Sequence, residues 1–105
     1  MESNAYKLIV VVVARGKAGK VADIAHDEGI PGATILPGHG SSVRLMLGIS
    51  VDPEKDIVLI VTSEDKAEKA LAVIAEKMEF NEPHHGFACV LSLDKVIGLE
   101  ENFES

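Results

Sequence analysis

The sequence contains no tryptophan, one tyrosine, three phenylalanines and one cysteine among its 105 residues. Since aromatic residues make up only 4% of the chain, a hydrophobic core must consist of aliphatic side chains, and hydrophobic residues of all kinds reach 47%. The single cysteine, Cys89, excludes an internal disulfide, which is typical of proteins of the reducing cytosol. We therefore expect a cytoplasmic protein.

Basic residues and long apolar runs are scarce too. Ten Lys and Arg stand against 17 Asp and Glu, which gives a formal net charge of −7. Because nucleic-acid binding depends on basic side chains that neutralise phosphates, no nucleic-acid partner is expected. The longest apolar run, residues 8–14, falls far short of the roughly 20 residues needed to cross a bilayer, so no membrane insertion is expected.

The apolar pattern predicts two units of strand, helix and strand. Apolar residues spaced by three and one predict one helix over 17–28 and another that starts within 62–65 and runs to Met78. Runs rich in β-branched residues, or alternating with period two, predict strands over 6–14, 33–36, 43–51 (resumed at 57–61 after a turn or bulge at 52–55) and 87–93. The order βαββαβ predicts a ferredoxin-like α+β sandwich, an antiparallel sheet with two helices on one face.

A chain of this length forms one domain, 1–105, with a structured core over about 6–99 and an acidic tail over 100–105 that is expected to fray. The sheet face without helices would expose Val, Leu and Ile side chains to water. Large exposed apolar patches on soluble proteins usually mark interfaces. We therefore expect a homo-oligomer whose sheets face inward.

The segment over residues 37–42 is a candidate anion site. Gly38 and Gly40 lack Cβ atoms, so their backbone N–H groups can converge on an anion beside the hydroxyls of Ser41 and Ser42. The alternative is a tight turn between two strands, and the composition of the segment by itself favours the turn.

His84, His85 and Gly86 form a second candidate site. Histidines can titrate near neutral pH or coordinate a metal ion. Adjacent side chains in a strand point to opposite faces, so His84 and His85 are not expected to share one ion. The chain has no zinc-ligand spacing either, and we assign no metal ligand.

No motif predicts catalysis. In the basic segment 15–20, two residues rather than four separate the first glycine from the Gly-Lys pair, which excludes a phosphate-binding P-loop. Cys89 lies among apolar residues of a predicted strand, where a buried thiol behaves as a small hydrophobic group. With no Ser/His/Asp or Cys/His arrangement of recognisable spacing, the chain is not expected to be an enzyme.

Four segments occur in this order over residues 7–99: KLIVVVVARGKAGKV, GIPGATILPGHGS, DPEKDIVLIV and HHGFACVLSLDKVIGL. Together they resemble the PII-type nitrogen-regulatory signal proteins, with a shorter docking loop. The resemblance implies a homotrimer of ferredoxin-like subunits whose sheets line a central core. It also implies three clefts between subunits that bind adenine nucleotides, and a loop after the second strand that docks on a target protein.

The resemblance further implies roles for single residues. Thr34 falls where the family contacts adenine, and Gly38 and Gly40 fall where backbone amides approach the nucleotide phosphates. The loop that closes the cleft from the neighbouring subunit corresponds to His84, His85 and Gly86. This arrangement would bring His39 of one chain near His84 or His85 of the next.

The chain departs from the family at its charged positions. Phe87 stands where the family has a phosphate-binding lysine, and Gly98 and Glu100 replace two arginines. Ser41 and Ser42 replace an arginine and a glutamine that help to hold nucleotide, magnesium and 2-oxoglutarate. Each lost charged contact removes about 1.5–3 kcal/mol of binding free energy. A less charged ligand, or protonated histidines in place of the lost cations, would suit these substitutions.

The sequence thus predicts a non-enzymatic, homotrimeric, PII-like regulatory protein. It would bind a small effector, with an adenine nucleotide (ATP, ADP or AMP) as the candidate, and control a target protein. The predicted site residues are Thr34, Gly38, His39, Gly40, Ser41, His84, His85 and Gly86. The alternative is a trimeric divalent-metal-binding protein of the CutA type, which shares this architecture and would use the histidines.

Overall fold

The computed structural model describes residues 5–40, 43–44, 50–51 and 53–99. The elements are β1 (Tyr6–Ala14), α1 (Ala18–Asp27), β2 (Thr34–His39), β3 (Val43–Arg44), β4 (Ser50–Val51), β5 (Glu54–Ser63), α2 (Glu64–Lys77) and β6 (Phe87–Leu93). Four strands form an antiparallel sheet in the order β2-β5-β1-β6, and two short strands form a second sheet, β3-β4. This is the ferredoxin-like arrangement that the order of elements predicted.

The core lies between the two helices and one face of the large sheet. Alternate residues of the central strands point to this face, as the period of two requires. Each helix contributes one apolar stripe, spaced by three and four residues. The buried side chains of these four elements include Ile9, Val11 and Val13 of β1, Val58 and Ile60 of β5, Val21, Ile24 and Ala25 of α1, and Ala67, Ala70 and Ile74 of α2.

The opposite face of the large sheet is also apolar. Its side chains alternate with those of the core, and the strand register aligns them in rows: Val10 lies between Leu59 and Cys89, and Val12 lies between Ile57 and Phe87. We call this surface the open face; its members are Leu8, Val10, Val12, Leu36, Ile57, Leu59, Val61, Phe87, Cys89 and Leu91. Phe87 is 57% exposed and Leu91 is 47% exposed.

The prediction of one strand over 43–51 was wrong. Val43 pairs with Val51 and Arg44 pairs with Ser50 in an antiparallel ladder, so the chain reverses direction between β3 and β4. Residues 45–49 lie outside the described residues. Alternation with period two is common to a single long strand and to two hairpin arms, so this pattern could not separate them.

The prediction of a loop over 37–42 was wrong for its first three residues. Strand β2 continues through Pro37, with Gly38 opposite Lys55 and His39 opposite Glu54. Lys55 and Glu54, expected in a turn or bulge, belong to β5. Proline is tolerated here because β2 is an edge strand, where a missing N–H need not break a ladder.

The remaining segments agree with the sequence pattern. Strands β1 and β6 have the predicted limits, and both helices lie within the predicted ranges. Residues 94–99 form neither helix nor strand, and the tail over 100–105 lies outside the described residues. In the part of the chain that the structure describes, no helix has both the length and the apolar character needed to cross a membrane.

Candidate functional site

Thr34, the first residue of β2, lines a cavity of about 490 Å³. Its other lining residues are aliphatic or glycine, so the threonine supplies the only side-chain hydroxyl in the wall. A cavity that is mostly apolar with few polar groups is typical of small-molecule sites. We call it the Thr34 cavity; it is lined by Pro31, Gly32, Ala33, Thr34, Leu59, Val61 and Leu99.

Gly38 and Gly40 follow at the far end of β2. A Cβ on Gly38 would lie 2.9 Å from Ile57 Cδ1, the end of a flexible side chain that can move aside, so packing within the chain does not require this glycine. Gly40 donates its backbone N–H to the carbonyl of Pro53 at 2.8 Å. That N–H is therefore engaged within the chain. Ser41 and Ser42 lie outside the described residues.

His39 lies far from the other two predicted histidines within one chain. It ends β2, whereas His84 and His85 precede β6, and β5 and β1 lie between these two edge strands. Three strand spacings of about 4.8 Å separate the edges. A single chain therefore does not bring His39 together with His84 or His85.

Gly86 connects the turn over 79–85 to β6 at a point where only glycine can be accommodated. Its φ is +123°, and a Cβ there would lie 2.3 Å from the carbonyl oxygen of Val12 and 3.2 Å from Phe80 Cε1. His84, two residues earlier, has a φ of 69°, in the left-handed region. The backbone over 84–86 is thus held in an unusual conformation against β1.

His85 is fixed by the end of α2. Its Nδ1 lies 3.3 Å from the carbonyl oxygen of Met78 and 3.7 Å from Oε1 of Glu79. Because a carbonyl oxygen can only accept, Nδ1 carries a proton and donates it. The second ring nitrogen, Nε2, is the one left for a ligand.

His84 and His85 line one cavity of about 230 Å³. They were expected not to share one ion because side chains alternate along a strand; both lie in the turn before β6, where that alternation does not apply. Three lysines from two helix ends share the cavity with them. We call it the lysine cavity; its lining residues are Ala14, Lys17, Lys20, Lys77, Met78, Glu79, His84 and His85.

No sequence pattern predicted the lysine cavity. Lys17 and Lys20 were noted only as part of the basic segment 15–20, and Lys77 was not singled out. The three lysines meet because the fold places the start of α1 beside the end of α2 and the turn that follows it. Such a juxtaposition has no signature in local spacing.

A carboxylate occupies the start of α1. Oδ2 of Asp56, in β5, accepts the backbone N–H of Gly16 at 2.9 Å and that of Ala18 at 3.3 Å. Arg15 forms an ion pair with Glu54, the first residue of β5. The carboxylate of Asp56 therefore satisfies amides that the start of the helix leaves without partners.

Metal ligands do not cluster in the described ranges: no three His, Cys, Asp or Glu side chains come close enough there to hold an ion. A metal site of the CutA type would therefore draw on a second subunit or on residues outside those ranges. Cys89 was expected to be buried, but it is an exposed free thiol on the open face of the single chain.

Comparisons with known proteins give matches in structure only, since no protein-family model and no curated protein matches the sequence. Arabidopsis thaliana PII bound to citrate has a TM-score of 0.68 at 22% identity, over 90% of this chain and 81% of that chain. B. subtilis GlnK has a TM-score of 0.70 at 17% identity, over 89% of each chain. The B. subtilis GlnK–ATP complex has a TM-score of 0.73 at 16% identity, over 92% and 91%. The chain has the PII-type fold.

Proposed function

We propose that the protein is a homotrimeric, non-enzymatic regulator of the PII type. It binds a small effector in clefts between subunits and, through the segment after β2, changes the activity of a target protein in the cytoplasm. The PII-type fold over nearly the whole chain supports this proposal. The sequence resemblance, which rests on other observations, agrees with it.

The open face supports the trimer. It carries aliphatic side chains across all four strands of the large sheet, and Phe87 and Leu91 are exposed on it. A contiguous apolar surface of this kind is costly in water and marks an interface. Three chains that face their sheets toward one axis would remove it from water.

The proposal rests on a single observation: the two groups of residues that would bind the effector lie at opposite edges of the sheet. The Thr34 cavity lies at the β2 edge of the sheet, and the turn over 84–86 lies at the β6 edge. One ligand cannot contact both within one chain. The β2 edge of one subunit placed beside the β6 edge of the next would complete a cleft, as the family resemblance implies.

An adenine nucleotide suits these two halves. The aliphatic wall of the Thr34 cavity would cover the base, and the Thr34 hydroxyl would bind its polar edge. His84 and His85 of the neighbouring subunit would surround the anionic part together with Gly38 and His39 at the other end of β2 and with Gly40 and Ser41, which follow in the sequence. Two of the similar structures are described with an anionic ligand: ATP in B. subtilis GlnK and citrate in Arabidopsis thaliana PII.

Calorimetric titration with ATP, ADP and AMP tests the proposal, with sedimentation of the same samples to give the assembly state. Thr34→Val removes the hydroxyl at nearly constant volume, and we expect it to lower the affinity for the nucleotide about tenfold. Ser92→Ala, which removes a hydroxyl from β6 outside the cavity, is the matched control and should leave the affinity unchanged. No heat and no thermal shift with any of the three nucleotides would contradict the proposal.

A further inference from the structure

The lysine cavity is a second concave surface with a charge opposite to that of the whole molecule. Lys17, Lys20 and Lys77 line it together with the two imidazoles, and Glu79 is its one carboxylate. The chain as a whole has a net charge of −7. A local excess of cations in a concave site of an acidic protein attracts and retains anions.

Structural roles do not consume these cations. The N–H groups at the start of α1 are satisfied by the carboxylate of Asp56, and the close contact of Glu79 is with His85. Among the described residues, Lys17, Lys20 and Lys77 form no ion pair. Their ammonium groups therefore stay available to a ligand.

We propose that the lysine cavity is a binding site for a small phosphate-class polyanion, and that it is complete within a single chain. Its lysines come from the start of α1 and the end of α2, and its imidazoles come from the turn over 84–85 of the same subunit. It shares His84 and His85 with the cleft proposed above but, unlike that cleft, needs one subunit only. The proposal does not depend on the trimer or on nucleotide binding.

The lining and the volume of the cavity suit a small phosphate anion. Its lysine ammonium groups bind phosphate as point charges. Its volume of about 230 Å³ is also small for a nucleotide, since pockets for drug-sized ligands start at about 300 Å³. Inorganic phosphate and pyrophosphate are of the right size and charge.

The test is calorimetric titration with sodium pyrophosphate at constant ionic strength. The double variant K17Q/K20Q removes two cavity cations, and we expect its dissociation constant to rise at least about tenfold. The matched control K69Q/K95Q removes two exposed cations elsewhere, one on α2 and one after β6, and should stay within about twofold of the unaltered protein. All four lysines are at the surface, so circular dichroism and melting temperature should be the same for both variants.

Equal weakening in the two double variants would show general charge attraction and overturn the site. A dissociation constant of K17Q/K20Q for pyrophosphate within about twofold of that of the unaltered protein would also overturn the site. A second measurement needs no variant: pyrophosphate should shift the imidazole NMR signals of His84 and His85 and leave that of His26, on the outer side of α1, unmoved. Unmoved signals for all three would overturn the proposal.

Single-chain binding is tested with Val10→Asp, which places a charge on the open face to prevent assembly. If circular dichroism shows the fold retained, pyrophosphate should bind this variant as it binds the unaltered protein. Loss of pyrophosphate binding in a folded, unassembled chain would overturn the claim that one chain suffices. Failure of nucleotide binding alone would contradict only the proposed function.

Discussion

Gly86 shows how a single residue can be required by the backbone rather than by a ligand. The family resemblance predicted this glycine as part of a cleft-closing loop. The structure gives it a second reason, because the chain passes so close to the carbonyl of Val12 that no Cβ can be placed. This reason could not be predicted from sequence, since it depends on the packing of the turn over 79–85 against β1.

Gly86→Ala should lower the free energy of unfolding by about 3 kcal/mol, because it combines backbone strain with a steric clash. Gly19→Ala is the matched control: nothing lies within 4 Å of a Cβ added at this α1 position. That change should raise stability by about 0.5 kcal/mol, since alanine favours helix. Urea denaturation at one fixed protein concentration measures both. Equal stability of Gly86→Ala and the unaltered protein would show that the turn can move away from β1.

The sequence pattern identified some of the residues that line the cavities but not those that only the fold brings to them. Thr34 and the pair His84 and His85 were singled out, and each lines a cavity of the structure. Lys77 was missed, because an exposed lysine near a helix end is usual and only the tertiary fold brings it to Lys17. Their roles in binding stay predictions.

At the scale of elements, α1 takes its N-terminal cap from another element. The first turn of α1 contains no acidic residue, and Lys17 at the N-cap position makes no side-chain cap hydrogen bond. Asp56 of β5 accepts two backbone N–H groups there instead. The helix start is therefore coupled to the central sheet through one carboxylate.

Asp56→Ala should lower the free energy of unfolding by about 1 kcal/mol, the usual cost of losing a helix cap. Asp56→Asn retains an acceptor oxygen and should recover part of that loss. Asp23→Ala, an exposed position on α1, changes the charge equally and should have little effect. The prediction fails if Asp56→Ala and Asp23→Ala give the same midpoint of urea denaturation.

The elements were predicted well where the pattern was strong. The valines of β1 and the apolar stripe of α2 specify their structures locally, and both elements lie where expected. Strand β2 was predicted too short because Pro37 and Gly38 are typical turn formers, and their tolerance in a strand depends on its position at the sheet edge. The ladder of β3 with β4 could not be separated from one long strand by alternation alone.

At the scale of the whole molecule, the sheet order follows from the two split units, whereas the assembly depends on the open face. Apolar residues at both parities of β1, and the buried run within β5, predicted that both sheet faces are apolar, and only one face is covered by helices. Cys89 lies on the other face, near the middle of the edge strand β6 and opposite Val10. Its thiol is therefore a natural reporter of whether that face is covered.

The Cys89 thiol should react at least about tenfold more slowly with a soluble disulfide reagent in the unaltered protein than in Val10→Asp, because assembly would shield it. Ala72→Asp, on the exposed side of α2, adds the same charge away from the open face and should react at the slow rate. Equal fast rates in all three proteins would mean that the open face stays in contact with water.

Sedimentation equilibrium of the unaltered protein at micromolar concentration tests the central claim most directly, because the proposed effector clefts exist only where two subunits meet. We predict a single species of three times the chain mass of 11.2 kDa. A well-folded particle with the mass of one chain would contradict the account, since the Thr34 cavity and the turn over 84–86 would then never form one site.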